Sequence, residues 1–464
     1  MRSRLDPGVG FKALDGKGSY RLNGSGGSRP GEGRGAPEFT TMSRAMQVSR
    51  VPLCRLFPWV LLLLWVSVPV FGQGFLRAQG DRIVDGEGRE VLLRGMGLGG
   101  WMLQEGYMLR LKGENPQHRI RARIVDLIGA EATERFYILW RDRHMTETDV
   151  KVLARAGFNS IRLPMHYNLF TLPVEEEPDP DRHTWLPTGF ELVDRLLAWC
   201  RAHRLYLILD LHAAPGGQGH DVNICDRDTN RPSLWEDPRN RAKTVALWRK
   251  LAERYANEPW IGGYDLINEP NWSFEGRERH GREDQTNAPL WALYQEITRA
   301  IREVDKNHMI ILGGNGWGNN YRGFPGPWDD NLVLSFHKYW NPNTDEAIAP
   351  YLALREKYGV PIWLGESGEN SNEWFRECVT LMERHRIGWA WWPHKKVESR
   401  SCIYTVVPPA EYQRVLAFWN GQGPRPSREV ALRALFGLVE NLRAERCTYN
   451  AEVVHALIPR STAQ

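Results

Sequence analysis

From residue 90 onward, short β-rich runs alternate with amphipathic stretches of helical period, and this alternation restricts the chain more than any other feature. Neighbouring parallel strands need a crossover between them, and a helix supplies one, so a repeated βα beat builds a parallel sheet faced with helices. Strand candidates fall at 90–98, 159–164, 205–212, 262–269, 309–317, 331–339, 361–366 and 388–392. Helical patterns occupy 146–156, opened by Thr-x-x-Asp, then 190–203, 241–257, 290–304, 346–358, 372–386 and 427–442. Eight strands, each leading to a crossover, predict an α/β fold of the (β/α)8 TIM-barrel type. The Gly-, Pro- and Asn-rich stretch 317–331 predicts a short or missing fifth helix, and 101–145 predicts a helical insertion between strands one and two. With no internal repeat or linker, 74–464 reads as one decorated catalytic domain.

The 464 residues would allow about three domains at ordinary domain size, but a barrel of this kind absorbs most of them. Hydrophobic residues at 42% and charged residues at 25% exclude a mainly disordered, collagenous or polytopic membrane chain. The formal charge of +4 belongs to the N-terminal segment, because 1–45 carries +4 and 46–72 carries +2, which leaves 73–464 at −2. The body therefore lacks the basic excess of a nucleic-acid footprint. Twenty Trp residues suit a large core or a surface that stacks flat ligands.

Residues 1–45 are rich in Gly, Ser and Arg without apolar periodicity, and read as a disordered leader or upstream sequence. Arg50 and Arg55 then precede an apolar run from Leu56 to Phe71, and Gly72 follows. This is the layout of a signal peptide over 46–72, too short for the roughly 20 apolar residues of a bilayer span. A secreted or periplasmic protein follows, with no stable membrane insertion after cleavage. Removing the signal removes Cys54 and leaves Cys200, Cys225, Cys378, Cys402 and Cys447, so at least one is unpaired within the chain. Cys200 and Cys378 sit in helical patterns and are expected to be buried and inert.

Barrel enzymes place their chemistry at the carboxyl ends of the strands. Here those ends read Arg162-Leu163-Pro164, Asp210-Leu211-His212, Asn268-Glu269-Pro270, His337-Lys338-Tyr339, Gly365-Glu366-Ser367 and Trp391-Trp392-Pro393. Glu269 and Glu366, on strands four and seven, face each other across the mouth. Paired carboxyls flanking a glycosidic bond are what its hydrolysis needs, one to protonate the leaving oxygen and one to act as nucleophile or base. A gap of about 5–5.5 Å gives retention of configuration and about 6.5–9.5 Å gives inversion, and residue spacing does not choose between them. Arg162 and Tyr339 within reach of Glu366 would favour its charged, nucleophilic form. Glu269, beside that charge, would hold its proton and serve as acid and later as base. Asn268 is expected to bond a sugar hydroxyl, Trp392 to floor the ring, and His212 and His337 to add polar contacts. The two histidines lack ligand spacing, so neither metal nor cofactor is expected. Gly216-Gly217, without a Lys-Ser/Thr sequel, reads as a turn rather than a phosphate cradle. Trp272, Trp317 and Trp340 fall near the mouth, whereas Trp199, Trp248 and Trp291 fall in helical patterns and read as core.

These segments resemble glycoside hydrolase family five, the cellulase-like retaining barrel glycosidases, over nearly all of 83–440. The likeness is carried by Arg162, His212, Asn268, Glu269, His337, Tyr339, Glu366 and Trp392. It implies a double-displacement mechanism with retention. Leu98-Gly99-Gly100-Trp101 with Glu105, and the stretch 210–218, are similar to the exo-β-1,3-glucanase branch. That similarity implies that Glu105 and Trp101 contact the terminal sugar, while the loop after Gln218, with His220, Asp221, Asn223 and Cys225, diverges. The expected activity is hydrolysis of a β-linked glucan or oligoglucoside, with Asp221 and Glu105 walling one end of the cleft. The alternatives are the same mechanism on mannan, xyloglucan or an aglycone glycoside, or a carbohydrate-binding barrel without catalysis. The expected partner is a β-linked polysaccharide or oligosaccharide.

Overall fold

The computed structural model describes residues 74–458, so the expected leader and signal peptide lie outside the described residues. Eight strands, β1 (Arg94–Gly97), β2 (Ser160–His166), β3 (Tyr206–Ala213), β4 (Ile261–Asp265), β5 (Met309–Gly313), β6 (Leu332–Lys338), β7 (Ile362–Gly368) and β8 (Gly388–Trp392), form a closed barrel in chain order. Each pairs in parallel with the next, and Trp389 opposite Arg94 closes the ring. Almost every strand residue is buried, as a sheet covered on both faces requires. Of the barrel's register shifts, those at Met165/His166 and Phe336/His337 lie toward the carboxyl ends, where an extra residue re-aims the side chains that follow.

The crossover helices fall where the apolar period placed them. Glu147–Ala156 begins with a capping box in which the Asp149 carboxylate accepts from the Thr146 amide at 2.9 Å, and it ends on left-handed Gly157. Pro187–His203, Pro238–Tyr255, Ala288–Val304, Asp345–Tyr358, Asn372–Arg384 and Arg428–Glu440 complete the series. After β5 only Asn315–Gly318 coils, with Gly316 and Trp317 at positive φ, so the fifth helix is the vestige the composition predicted. Strand four stops at Asp265 rather than 269, yet the chain keeps pairing through Leu266 to Ile311 and Asn268 to Leu211.

The insertion forms two helices, Gln117–Ile128 and Ala130–His144, hinged at Gly129. Their apolar faces, with Ile120, Ile124 and Phe136, pack on Tyr412, Leu435 and Leu438 to make a second core beside the barrel. A hairpin of Arg77–Gln79 and Arg82–Val84 brings Leu76 and Ile83 against Tyr206, Ile208, Met309 and Trp363, closing the amino-terminal end of the barrel. With that end filled, substrate has access only from the carboxyl end. Among the described residues the five cysteines are free, Cys200 and Cys378 are buried as expected, and no helix is long and apolar enough to cross a membrane.

Candidate active site

A cleft of about 700 Å³ opens at the carboxyl ends of the strands. Of the residues singled out in the sequence, Glu105, His212, Asp221, Glu269, His337, Tyr339, Glu366 and Trp392 line it. Glu269 follows the end of β4 in a left-handed conformation, φ 42°, which non-glycine residues hold only where surrounding contacts enforce it. Glu366 lies within β7, and an oxygen of each carboxyl lies within 4.8 Å of the other and of a His337 nitrogen. That nearest-oxygen separation is compatible with the closer-set of the two carboxyl arrangements of glycoside hydrolysis.

The two carboxyls have different neighbours. Oε2 of Glu366 accepts from Arg162 Nη1 at 2.7 Å, and Oε1 accepts from the Tyr339 hydroxyl at 2.8 Å. Both oxygens are thereby aimed, and a guanidinium stands against the negative charge. Glu269 meets no cation at contact distance; its Oε1 lies 2.7 Å from Nδ1 of His337. Burial pushes the Glu269 carboxyl up to about 8, with Asp221 adding to the rise and Arg162 opposing it. The expected cause, the charge on Glu366, is not the leading one: removal from water dominates. Burial also lowers His337 to about 4, so the imidazole beside Glu269 is neutral near pH 7.

Arg162 is 1% exposed and reaches no cleft surface. From the middle of β2 it donates to Asp265 at 2.9 Å and to Asn268 Oδ1 at 2.7 Å, and it pairs with Asp210 at 3.2 Å, besides holding Glu366. Three carboxyls thus share one guanidinium, and burial raises Asp210 to about 7 and Asp265 to about 6 against its pull. Asn268, expected at a sugar hydroxyl, is buried with its amide committed to Arg162 and, at 3.1 Å, to Nε2 of His212. Nδ1 of His212 lies 2.7 Å from Asp210, and burial lowers the ring to about 3. The sequence pattern located these residues, while their role in the network is to support the cleft from behind.

Trp392 forms a wall of the cleft as expected, stacked parallel on His212 at 5.5 Å and donating from Nε1 to the Tyr107 hydroxyl at 2.8 Å. Gly99 makes room for it, since a Cβ there would lie 2.5 Å from the indole. Trp101 corrects the expectation. It is 1% exposed, bonds the backbone of Arg141 at 2.8 Å and packs in the main core, because the insertion folds over it. Trp317 and Trp340 line the cleft, but Trp272 does not and stacks on His220 at 4.1 Å. Glu105 is buried, with the neutral His212 ring 3.8 Å from its carboxyl; burial and the surrounding carboxyls raise it well above the usual range. Tyr107 and Glu369 were not anticipated. Tyr107 comes from the insertion, where no periodic pattern marks it, and Glu369 from the turn after β7, paired with Lys396. Asp265 had one local sign, an acid inside an apolar strand.

The only group of potential metal ligands among the described residues is Glu269, His337 and Glu366 themselves. An arrangement of paired carboxyls, one held by a cation and one desolvated, can carry out acid-assisted displacement at a glycosidic carbon.

Comparison with known proteins agrees with this geometry. The sequence model of the cellulase family, glycosyl hydrolase family 5, matches residues 122–396. The chain belongs to that family and is an O-glycosyl hydrolase with the retaining chemistry of its fold and site. It is 29% identical over 367 residues to a β-xylosidase of Phanerodontia chrysosporium, covering 71% of this chain and 72% of that one. It is 26% identical to endoglucanase C of Acetivibrio thermocellus over 55% of this chain and 86% of that one. A probable glucan 1,3-β-glucosidase A of Emericella nidulans is 31% identical over 53% of this chain and 57% of its own length. The relatives thus span several branches, and the exo-β-1,3-glucanase likeness is one among them.

Proposed function

We propose that this chain is an exported retaining β-glycosidase that hydrolyses β-linked glucans or oligoglucosides, with Glu366 as nucleophile and Glu269 as acid/base. The observation that carries the assignment is the asymmetry between two carboxyls whose oxygens lie within 4.8 Å, one against a guanidinium and the other buried and raised to about 8. Glu366 attacks the anomeric carbon while Glu269 gives its proton to the leaving oxygen. The glycosyl ester that forms neutralises Glu366, and Glu269, now ionised, takes a proton from the incoming water, whose oxygen then releases the sugar.

Release from chain ends is supported by the way the insertion meets the loop after β3. The Asn115 amide donates to Asn223 at 2.7 Å and the His118 amide to Asp226 at 2.7 Å, so the segments bearing Glu105 and Asp221 are joined at one end of the cleft. Export rests on the signal-like segment 46–72. A second reading, the same mechanism on a β-xyloside, is favoured by the relative named β-xylosidase. A product profile over defined β-glucans, xylo-oligosaccharides and mannans separates the two, and proton NMR of the first product reads the anomer. A first product of inverted configuration, or full activity in Glu269→Gln or Glu366→Gln, defeats the assignment. Restored turnover of Glu269→Gln on an aryl glycoside whose leaving group needs no proton supports the acid role.

A further inference from the structure

The cleft adjoins a second hollow of about 900 Å³, and the two share Trp317, Asn319 and Tyr351. Their linings differ in the ionisable groups they carry. Five carboxyls, Glu105, Asp221, Glu269, Glu366 and Glu369, line the first and no Lys or Arg does. Arg282, Arg322 and Lys357 line the second and no Asp or Glu does. Arg282 lies 3.6 Å from Glu278, and Arg322 donates to the Arg282 carbonyl at 3.2 Å. Among the described residues neither Arg322 nor Lys357 forms an ion pair, whereas Arg277 and Arg302 nearby each hold an acid.

The hollow also stands on a defined side of the reacting bond. The Trp317 amide donates to the Pro270 carbonyl at 3.0 Å, so the shared wall is anchored one residue from Glu269. A proton donor stands beside the oxygen that departs, and the space beyond Glu269 therefore receives the leaving group. Trp317 is held in place by His280, stacked at 4.4 Å, and by the Arg282 guanidinium 5.8 Å from its ring. This gives a flat apolar step between the two hollows.

We propose that the preferred substrate is a β-linked glycan whose leaving-group portion bears anionic substituents, carboxylates or sulfate esters, held by Arg322, Lys357 and Arg282. The proposal rests on the glycosidase reading above and adds a direction to it. The carboxyl-lined half offers no Lys or Arg to an acidic sugar, and the cationic half attracts the acidic remainder of the chain.

The test uses a neutral β-glycan that the product panel shows to be cut, together with the same polymer sparsely carboxymethylated or sparsely sulfated. At low salt the unaltered protein is expected to cleave one of the charged forms with kcat/KM roughly tenfold above the neutral parent. That advantage should vanish at about 0.5 M NaCl, where exposed charges are screened, and in the double variant Arg322→Glu/Lys357→Glu. Whichever charged polymer is favoured identifies the anion. The variant's rate on the neutral polymer reports whether fold and chemistry survive. Equal rates on charged and neutral polymers, or an unchanged preference in the variant, overturn the proposal. If no glycan is cut, it is the glycosidase reading that fails. Retardation of the protein in gels containing the same polymers still judges the groove, because failure of the anionic polymer to retard it, or equal retardation of the variant, overturns the groove assignment.

Discussion

An oxygen of Glu269 and an oxygen of Glu366 lie within 4.8 Å of each other, while the side chains behind them differ in kind. Glu366 is bonded to a guanidinium and a phenol, and Glu269 to a neutral imidazole. Removal from water, with Asp221 adding to it, keeps a proton on Glu269 near neutrality. In the proposed mechanism that proton is the one glycoside cleavage consumes and returns.

The pH profile follows from Glu269. Its proton is bound below about 8, so kcat/KM on a substrate with a poor leaving group should hold through neutrality and decline as pH rises through about 8. In Glu269→Gln that alkaline limb should be absent from the residual rate on an activated aryl glycoside. A limb unchanged by the substitution would assign it to another group.

Stability should respond in the linked sense. The folded protein holds the Glu269 proton up to about 8, whereas the exposed carboxyl releases it near 4.5, so between these values the folded state binds more protons and loses stability as pH rises. Glu269→Gln has no charge to bury. Its melting temperature above pH 8 should exceed that of the unaltered protein by roughly 2 °C or more, with the difference shrinking toward pH 4.5. Calorimetry at both ends of the range checks the sign.

Tyr339→Phe removes the hydroxyl that reaches Glu366 at 2.8 Å and leaves the ring in place. A donor aimed at the proposed nucleophile should matter far more to rate than to folding. The expected outcome is a fall in kcat of about 10²-fold with a change in unfolding free energy of about 1 kcal/mol. Kinetics and urea unfolding on one preparation separate the two effects.

Arg162→Gln acts on both. It strips the shared partner from Asp210, Asp265 and Glu366, all buried, and should cost about 3–5 kcal/mol because unpaired carboxyls remain inside. Lowering the pH should recover part of that loss, since Asp210 and Asp265 can then take protons. A variant as stable as the original at pH 7 would contradict the network.

Gly99→Ala tests the seat of Trp392. The added methyl would lie 2.5 Å from the indole and must displace it from His212 and Tyr107. Weaker binding of substrate, read as a rise in KM, is expected together with a loss of stability of about 1–3 kcal/mol. Unchanged kinetics would mean the ring position is immaterial.

How much of this was visible beforehand follows from the range of each interaction. Strand and helix periods are local, so all eight strands and the vestigial turn at Asn315–Gly318 could be read from short windows. The polar tripeptides closing those windows marked Glu269, Glu366, Arg162 and His212, because a barrel gathers successive strand ends at one mouth. Trp101 misled because its neighbourhood suggested the mouth, whereas the insertion, whose packing depends on residues 412–442, folds over it. Tyr107 and Glu369 carried no pattern at all.

The sequence by itself determined the beat of the fold, which acids stand at its strand ends and the family resemblance, since each is written in residues close together along the chain. Tertiary structure alone decided the gap between the carboxyls, the burial that keeps a proton on Glu269, and which ionisable groups line each of the two hollows. Those are distances and desolvation among residues as far apart as Glu105 and Glu369, and such quantities exist only after the barrel has closed.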